Sequence, residues 1–587
     1  MPSVPSVAVD ELRAQFSGLP LLKDLDDETL KWLEPELEWF SIPGGWQLFC
    51  QGDESDGLYI VKSGCLGVMV KGDEGPPVLV TQIHAGQTVG EMSLISGLPR
   101  SATVMAIRDT EVFRLNTDSF LKMVELHPRL LADINKILVR RLQRMTSLQT
   151  PVDISRTFAL IPTAKDVACS DFARRLRDAL AKLGFKACVL DSASAGKSTE
   201  WFNNVEHDHD IVLYEANTEV DSWTRLCKRQ ADRIFLVIDA NAPPSSLPPI
   251  NDLVEDKQYQ PIEIIFLQPP DGGGTRPVGR WLDWLNMDVH WHVRRDNHDD
   301  IARIARLMTG RAVSLVLSGG GARAFAHLGA IKAIREFGIP IDLVGGTSMG
   351  AIIGAGVALE WSDFELESRM RRCFVDTNPL SDFTFPAIAI FKGQKVSRLL
   401  QRQFDEIQIE DLWRSYFCVT VNLTKGRAQA NRRGTLWRHL RASVAIPGLL
   451  PPMVDRGDMM ADGGVINNFP VDVAYVERRG PIIGVDVANY RPFGKVPPDY
   501  DRKSLFWIWR NRHKKIPGIV SLLLRAGTIS GDMKARDSKR HLALFLDPAM
   551  PDLELYDWQS FDQAMQIGYE NAVAALERAD LSALTGG

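Results

Sequence analysis

The sequence has no apolar run long enough to cross a bilayer. Its longest, Leu343 to Leu359, is broken by glycine, threonine and serine, whereas a spanning helix needs about 20 predominantly apolar residues. Cysteine is scarce. Seven are scattered at positions 50, 65, 169, 188, 227, 373 and 418, never as a C-x-x-C pair, which fits reduced, buried thiols rather than a disulfide framework or a thiolate metal site. Positive charge is not in excess. A formal net charge of −6, with no helix-turn-helix pattern, argues against nucleic acid as a partner. Asp10 and Glu11 stand where a secretory signal would place its apolar core. The expectation is a cytoplasmic chain, at most peripheral on the inner membrane face.

What is present divides into three patterns. Over residues 10–150, Leu12, Phe16, Leu19, Leu22, Leu30, Leu33 and Leu37 suggest helix to about position 40. Short glycine-punctuated strands follow from Trp46 to Leu115, and an amphipathic stretch runs from Phe120 to Leu148. Such strands predict a small β-barrel or jelly roll with flanking helices. Over 151–305, buried-strand patterns at Thr157–Ile161, Ala187–Leu190, Ile211–Tyr214, Ile234–Asp239 and Ile262–Leu267 alternate with helical ones, predicting a Rossmann-like α/β spacer. Residues 306–587 form a third region, also α/β, with a C-terminal helical extension. The fold class is therefore multi-domain, one β-rich domain followed by two α/β domains.

The third region carries the chemistry. Ser348 lies in Gly346-Thr347-Ser348-Met349-Gly350, between the strand-like Ile339–Val344 and the helix-like Ala351–Leu359. This is the pattern of a nucleophile elbow, where small neighbours leave a serine hydroxyl standing clear on a sharp turn. Upstream, Gly319-Gly320-Gly321-Ala322-Arg323 follows the strand-like Ala312–Leu317. Bare backbone N–H groups between a strand and a helix suit an oxyanion. Together they predict a serine hydrolase.

No histidine has a distinctive loop context. His439 opens an amphipathic helix, His513 sits in a basic run, and His541 precedes a strand-like segment. Asp462 is distinctive, in Met459-Met460-Ala461-Asp462-Gly463-Gly464, because two glycines let a carboxylate approach a hydroxyl. Asp486 competes but has no such clearance. The Gly-rich loop, the elbow and the Asp-Gly-Gly, with Arg441-Ala442-Ser443, Ile446-Pro447-Gly448 and Asn467-Asn468-Phe469-Pro470, resemble the patatin-like phospholipase family over about 312–490. The resemblance implies a Ser–Asp dyad without histidine: Ser348 as nucleophile, Asp462 as base, and an oxyanion hole at Gly319, Gly320, Gly321, Ala322 and Arg323. Ala324 stands where many members have glycine. No metal and no catalytic cofactor is implied.

In the first region, Gly90-Glu91-Met92-Ser93 through Leu98-Pro99-Arg100-Ser101 resembles the phosphate-binding cassette of the cyclic-nucleotide-binding domain family. Arg100 can fork onto a phosphate and Glu91 can accept from a ribose hydroxyl, with Gly90, Met92, Ser93 and Ser101 around them. The choice between cAMP and cGMP as an allosteric ligand stays open. In the spacer, Gly196-Lys197-Ser198 is not a phosphate loop, since Asp191 occupies the position that needs glycine. His207-Asp208-His209-Asp210 reads as a solvated turn rather than a metal site.

The three regions in this order resemble the neuropathy target esterase group, which implies a phospholipid or lysophospholipid substrate. A segment of interfacial aromatics and cations, Phe506-Trp507-Ile508-Trp509 through Lys514 and Lys515 to Ile519–Leu524, suits either a membrane surface or a core helix with a charged flank. Two alternatives remain: a Ser-His-Asp esterase using His541 or His513, and a catalytically silent scaffold responsive to cyclic nucleotide.

Overall fold

The computed structural model describes residues 26–70, 78–127, 134, 155–165, 167–244, 260–270, 273–488, 537–550, 553 and 556–585. The aromatic-cationic segment 506–524, His513 and most of the stretch running to Leu148 lie outside them. The chain divides into two compact units: Met1–Pro269 with Asn286–Ala305, and Pro270–Leu285 with Arg306–Gly587.

The first unit opens with a short helix, Asp27–Leu33, whose N-cap Asp26 accepts from the Thr29 amide. Helix does not persist to position 40. Leu37–Ile42 is a strand paired antiparallel with Thr110–Asn116 along its whole length. The eight strands form two four-stranded sheets. One runs in the order Leu37–Ile42, Thr110–Asn116, Gly57–Ser63, Thr88–Val89. The other runs Gln47–Phe49, Thr103–Ala106, Cys65–Val70, Val78–His84. The expected barrel is therefore corrected: among the described residues neither sheet closes. The chain crosses between sheets at Gly64 and again at 107–109, so the strands on either side of each of these crossings lie in different sheets, over a core of Tyr59, Val61, Leu66, Val104 and Val112.

The rest of this unit is a six-stranded, all-parallel sheet in the order Ala187–Leu190, Ile211–Glu215, Thr157–Pro162, Arg233–Asp239, Ile262–Gln268, His290–Arg294. Its central strand Thr157–Pro162 is buried throughout, and its neighbours Ile211–Glu215 and Arg233–Asp239 are buried except at their ends, as strands covered by helices on both faces must be. Five strands match the sequence reading, and the sixth, His290–Arg294, is additional. Its two histidines and one arginine hide a largely buried strand behind polar composition.

Arg108, between Thr103–Ala106 and Thr110–Asn116, joins these two parts of the unit. It is buried and donates through Nε to Asp232 Oδ1 at 2.8 Å and through Nη2 to Glu206 Oε2 at 2.8 Å. Asp232 Oδ2 also accepts from the Arg156 and Thr157 amides. Ligand-type atoms of Cys65, His84 and Asp232 lie within 4.8 Å of one another, but the guanidinium and two amides already occupy that carboxylate. His207 and Asp208 end the helix Thr199–Asp208 instead of forming the expected turn, and His209 Nδ1 bonds that helix at Val205 O.

The second unit is built on a mixed eight-stranded sheet. Its main path is Met453–Asp455, Asp458–Asp462, Ser415–Asn422, Leu343–Thr347, Ser314–Leu317, Ile482–Val485, Leu544–Leu546, with Arg427–Asn431 also on Ser415–Asn422. Ser314–Leu317 and Leu343–Thr347 are parallel, central and wholly buried. The helix after the second of them, Met349–Ala358, is buried at every position. Such a helix lies inside a layered core and shows no polar face.

Candidate active site

Three chain segments converge where the central parallel strands end. Ser348 caps the strand Leu343–Thr347 with φ 55° and ψ −126°. Positive φ is uncommon for a residue with a side chain, and an observed outlier of this kind is a hint of function. Surrounding contacts hold it. The Ser348 amide donates to Ser443 Oγ at 2.9 Å, Ser443 Oγ donates to Val419 O at 2.7 Å, and Thr347 Oγ1 donates to Asn467 O at 2.9 Å.

Space around the elbow explains its glycines. A Cβ on Gly350 would sit 2.4 Å from Ser318 O, and one on Gly463 would sit 2.4 Å from Val419 O. At Gly319 the nearest atoms would be Asn468 Oδ1 at 2.4 Å and Ser348 Cβ at 3.1 Å. The Gly-rich loop therefore passes directly against the serine.

Ser348 Oγ donates to Asp462 Oδ2 at 2.9 Å, while Asp462 Oδ1 accepts from the Gly464 amide at 2.7 Å. The carboxylate is buried, and burial pushes its pKa up to about 7 from the model-compound value of 3.8, with the Gly464 amide and the Ser348 hydroxyl pulling the other way. An ordinary aspartate is too weak a base for a hydroxyl at neutral pH, and one titrating near 7 is much better matched. No histidine among the described residues hydrogen-bonds Ser348 or Asp462. His541 stacks on Tyr475, with ring centroids 3.9 Å apart.

In the Gly-rich loop, the Gly319 amide donates to Asn468 O at 3.1 Å, which removes it as an oxyanion donor. Gly320, Gly321, Ala322 and Arg323 follow as the chain turns into the short helix Gly321–Phe325, and Arg323 Nε lies 3.3 Å from Gly320 O. Asp486 is also placed: it precedes Val487, whose amide donates to Ser318 Oγ at 2.9 Å, and its own carboxylate pairs with Lys539 at 3.6 Å.

Several supporting residues carry no sequence signal of their own. His327 Nε2 lies 2.9 Å from Ser318 O, and burial pushes its pKa down to about 4, so it is a neutral strut of the Gly-rich loop. Tyr556 has a buried hydroxyl without a partner among the described residues. Burial and then the charge of Asp462 push its pKa up.

At the cassette, Gly90 caps the helix Glu91–Ser96; Glu91 and Ser93 are buried, Met92 and Ser101 exposed. Arg100 is buried as well. It donates to Asp56 Oδ1 at 2.5 Å, Gly57 O at 2.9 Å and Gly90 O at 2.9 Å, with its guanidinium 4.2 Å from the Phe49 ring centroid. Tyr59 donates its hydroxyl to Asp56 Oδ2 at 2.6 Å. Burial pushes the Asp56 carboxyl up, but Tyr59 and Arg100 outweigh it and hold the group below its usual range.

Three family sequence models match in succession: the cyclic nucleotide-binding domain over residues 40–127, the Neuropathy Target Esterase family P-loop like domain over 155–309, and patatin-like phospholipase over 315–475. Among known proteins, patatin-like phospholipase domain-containing protein 6 of Pongo abelii is 29% identical, over 97% of this chain and 46% of that protein. Patatin-like phospholipase domain-containing protein 7 of Rattus norvegicus is 29% identical over 92% and 45%, and lysophospholipase NTE1 of Yarrowia lipolytica 27% over 96% and 48%. The chain thus spans less than half the length of these relatives. By its three matched regions in this order, it is similar to the patatin-like phospholipase family, in the neuropathy target esterase-like form with an N-terminal cyclic-nucleotide-binding domain.

Proposed function

We propose that the chain is a serine hydrolase of lysophospholipid or phospholipid carboxyl esters, acting through a Ser348–Asp462 dyad. The supporting observation is the 2.9 Å hydrogen bond from Ser348 Oγ to a buried carboxylate whose pKa is pushed up to about 7. Asp462 takes the hydroxyl proton as Ser348 Oγ attacks the acyl carbon. The N–H groups of Gly320, Gly321 and Ala322 receive the oxyanion, contributing on the order of 10²- to 10³-fold, and the base about 10²- to 10⁴-fold. Asp462 then returns the proton to the leaving alcohol, and a water deprotonated by the same carboxylate releases the fatty acid.

The substrate class follows the relatives' printed names, lysophospholipase and patatin-like phospholipase. The N-terminal domain is proposed to bind cAMP or cGMP, with Arg100 exchanging Asp56 for the cyclic phosphate. No helix among the described residues is long and apolar enough to cross a membrane, and the proposed location is cytoplasmic and peripheral.

Fluorophosphonate labelling and lysophosphatidylcholine turnover, with and without each nucleotide, test this reading on wild type and Ser348→Ala. Both signals should vanish in the variant. A wild type that neither labels nor turns over would favour the silent scaffold.

A further inference from the structure

Tied to the site through residues 445–449 is a loop that water should not favour. Residues 383–391, Phe-Thr-Phe-Pro-Ala-Ile-Ala-Ile-Phe, carry no charge. Phe383, Phe385 and Ile388 are 68%, 85% and 74% exposed. Single exposed apolar residues are ordinary, but three within six positions on one protruding tip are not.

The tip is held out by a built base. Thr384 N donates to Ile390 O at 2.9 Å and Lys392 N to Asp382 O at 2.8 Å, closing the loop on itself. Ile390 N donates to Gly448 O at 3.0 Å and Phe391 N to Leu449 O at 3.1 Å. Buried Arg441 clamps both sides, with Nε 3.4 Å from Gly393 O and Nη2 3.2 Å from Pro451 O. The segment that anchors the loop also supports the base: Ala445 O, just upstream of Gly448, accepts the Asp462 amide at 3.0 Å. Tip and dyad are therefore fixed to one short stretch of chain.

We propose that the 383–388 tip is a membrane-docking element that inserts into a lipid surface and sets the Ser348 site against it. This rests on the hydrolase reading, since an acyl ester held in a bilayer must be met at the bilayer. A lipid surface fits the tip because aromatic, proline and isoleucine side chains with one hydroxyl offer apolar volume and almost no directed hydrogen bonding. Exposed Lys392 and Arg398 at the base complement anionic headgroups. This element is distinct from segment 506–524.

The test uses the full chain with vesicles of phosphatidylcholine and phosphatidylserine in a flotation assay. Phe385→Ser/Ile388→Ser should partition about tenfold less than wild type. Turnover of vesicle-borne lysophosphatidylcholine should fall in parallel, while hydrolysis of soluble p-nitrophenyl butyrate stays within about twofold, since neither side chain touches the dyad. A single Phe385→Trp variant should be quenched by bromine-labelled acyl chains beyond the wild-type background. Unchanged flotation of the double variant, or no extra quenching, overturns the proposal. Loop-dependent flotation without hydrolysis of either ester leaves docking standing and removes the hydrolase reading; hydrolysis with loop-independent flotation does the reverse.

Discussion

The amide of Ser348 is bonded to the hydroxyl of Ser443 at 2.9 Å, so the serine that would attack is held by another serine from the helix Leu436–Ser443. That hydroxyl in turn donates to Val419 O on the neighbouring strand, tying helix, strand and elbow together.

Ser443→Ala leaves the Ser348 amide buried without an acceptor. The expected cost is about 1–3 kcal/mol of stability, read by chemical denaturation. A loosened elbow should lower kcat by about ten- to a hundredfold with a smaller change in KM. A variant with wild-type kcat would show that the Ser443 contact does not position the nucleophile.

Under the proposed mechanism Asp462 sets the pH dependence. As a base it must be ionised, so the acylation rate should rise about tenfold per pH unit below about 7 and level off above it. Stability runs the other way. The folded state keeps this proton between 3.8 and about 7 while the unfolded chain has lost it, so folding free energy is eroded as pH rises through that window. Asp462→Asn should abolish turnover and, at pH 8, stabilise the fold by roughly 2–4 kcal/mol. Equal melting temperatures for variant and wild type at pH 8 would count against a buried, charged Asp462.

Asp56 holds the guanidinium that a cyclic phosphate would need. Asp56→Ala should tighten cAMP or cGMP binding about tenfold by removing the competing carboxylate, and Arg100→Ala should abolish it. Isothermal calorimetry reads both. Failure of wild type and Asp56→Ala alike to bind either nucleotide would end the ligand proposal.

Arg108→Met should destabilise the first unit by about 3–5 kcal/mol, since Asp232 is fully buried and loses its cation. Burial pushes the Asp232 carboxyl up, yet Arg108, His84 and two amides hold it below its usual range. Its stabilisation is present above the unfolded pKa and is lost as pH falls. The variant should therefore show a shallower loss of stability in acid, measurable by denaturation as pH is stepped down through and below 3.8.

The hydrogen-bonded pair Ser348 and Asp462 was legible in the sequence because each half announces itself locally. Gly346-Thr347-Ser348-Met349-Gly350 and Asp462-Gly463-Gly464 are short patterns whose glycines answer to nearby backbone, as the clashes at Gly350 and Gly463 make plain. The parallel strands of the spacer were legible for a similar reason, being continuous apolar runs. Ser443, Asp56 and Arg108 were not. Each acts on a partner far along the chain, and a serine at a helix end or an aspartate in a loop has no periodicity that names that partner. The two-sheet arrangement was hidden likewise, because strand patterns fix which face is buried but not which strand pairs with which.

The helix Met349–Ala358 has one further consequence. With every residue buried, it leaves the backbone at Ser348 anchored from its C-terminal side, as the Ser443 contact anchors its amide. Under the proposed hydrolysis, a signal arriving from elsewhere in the chain would act more readily on how an ester enters or a fatty acid leaves than on the backbone that carries the attacking oxygen.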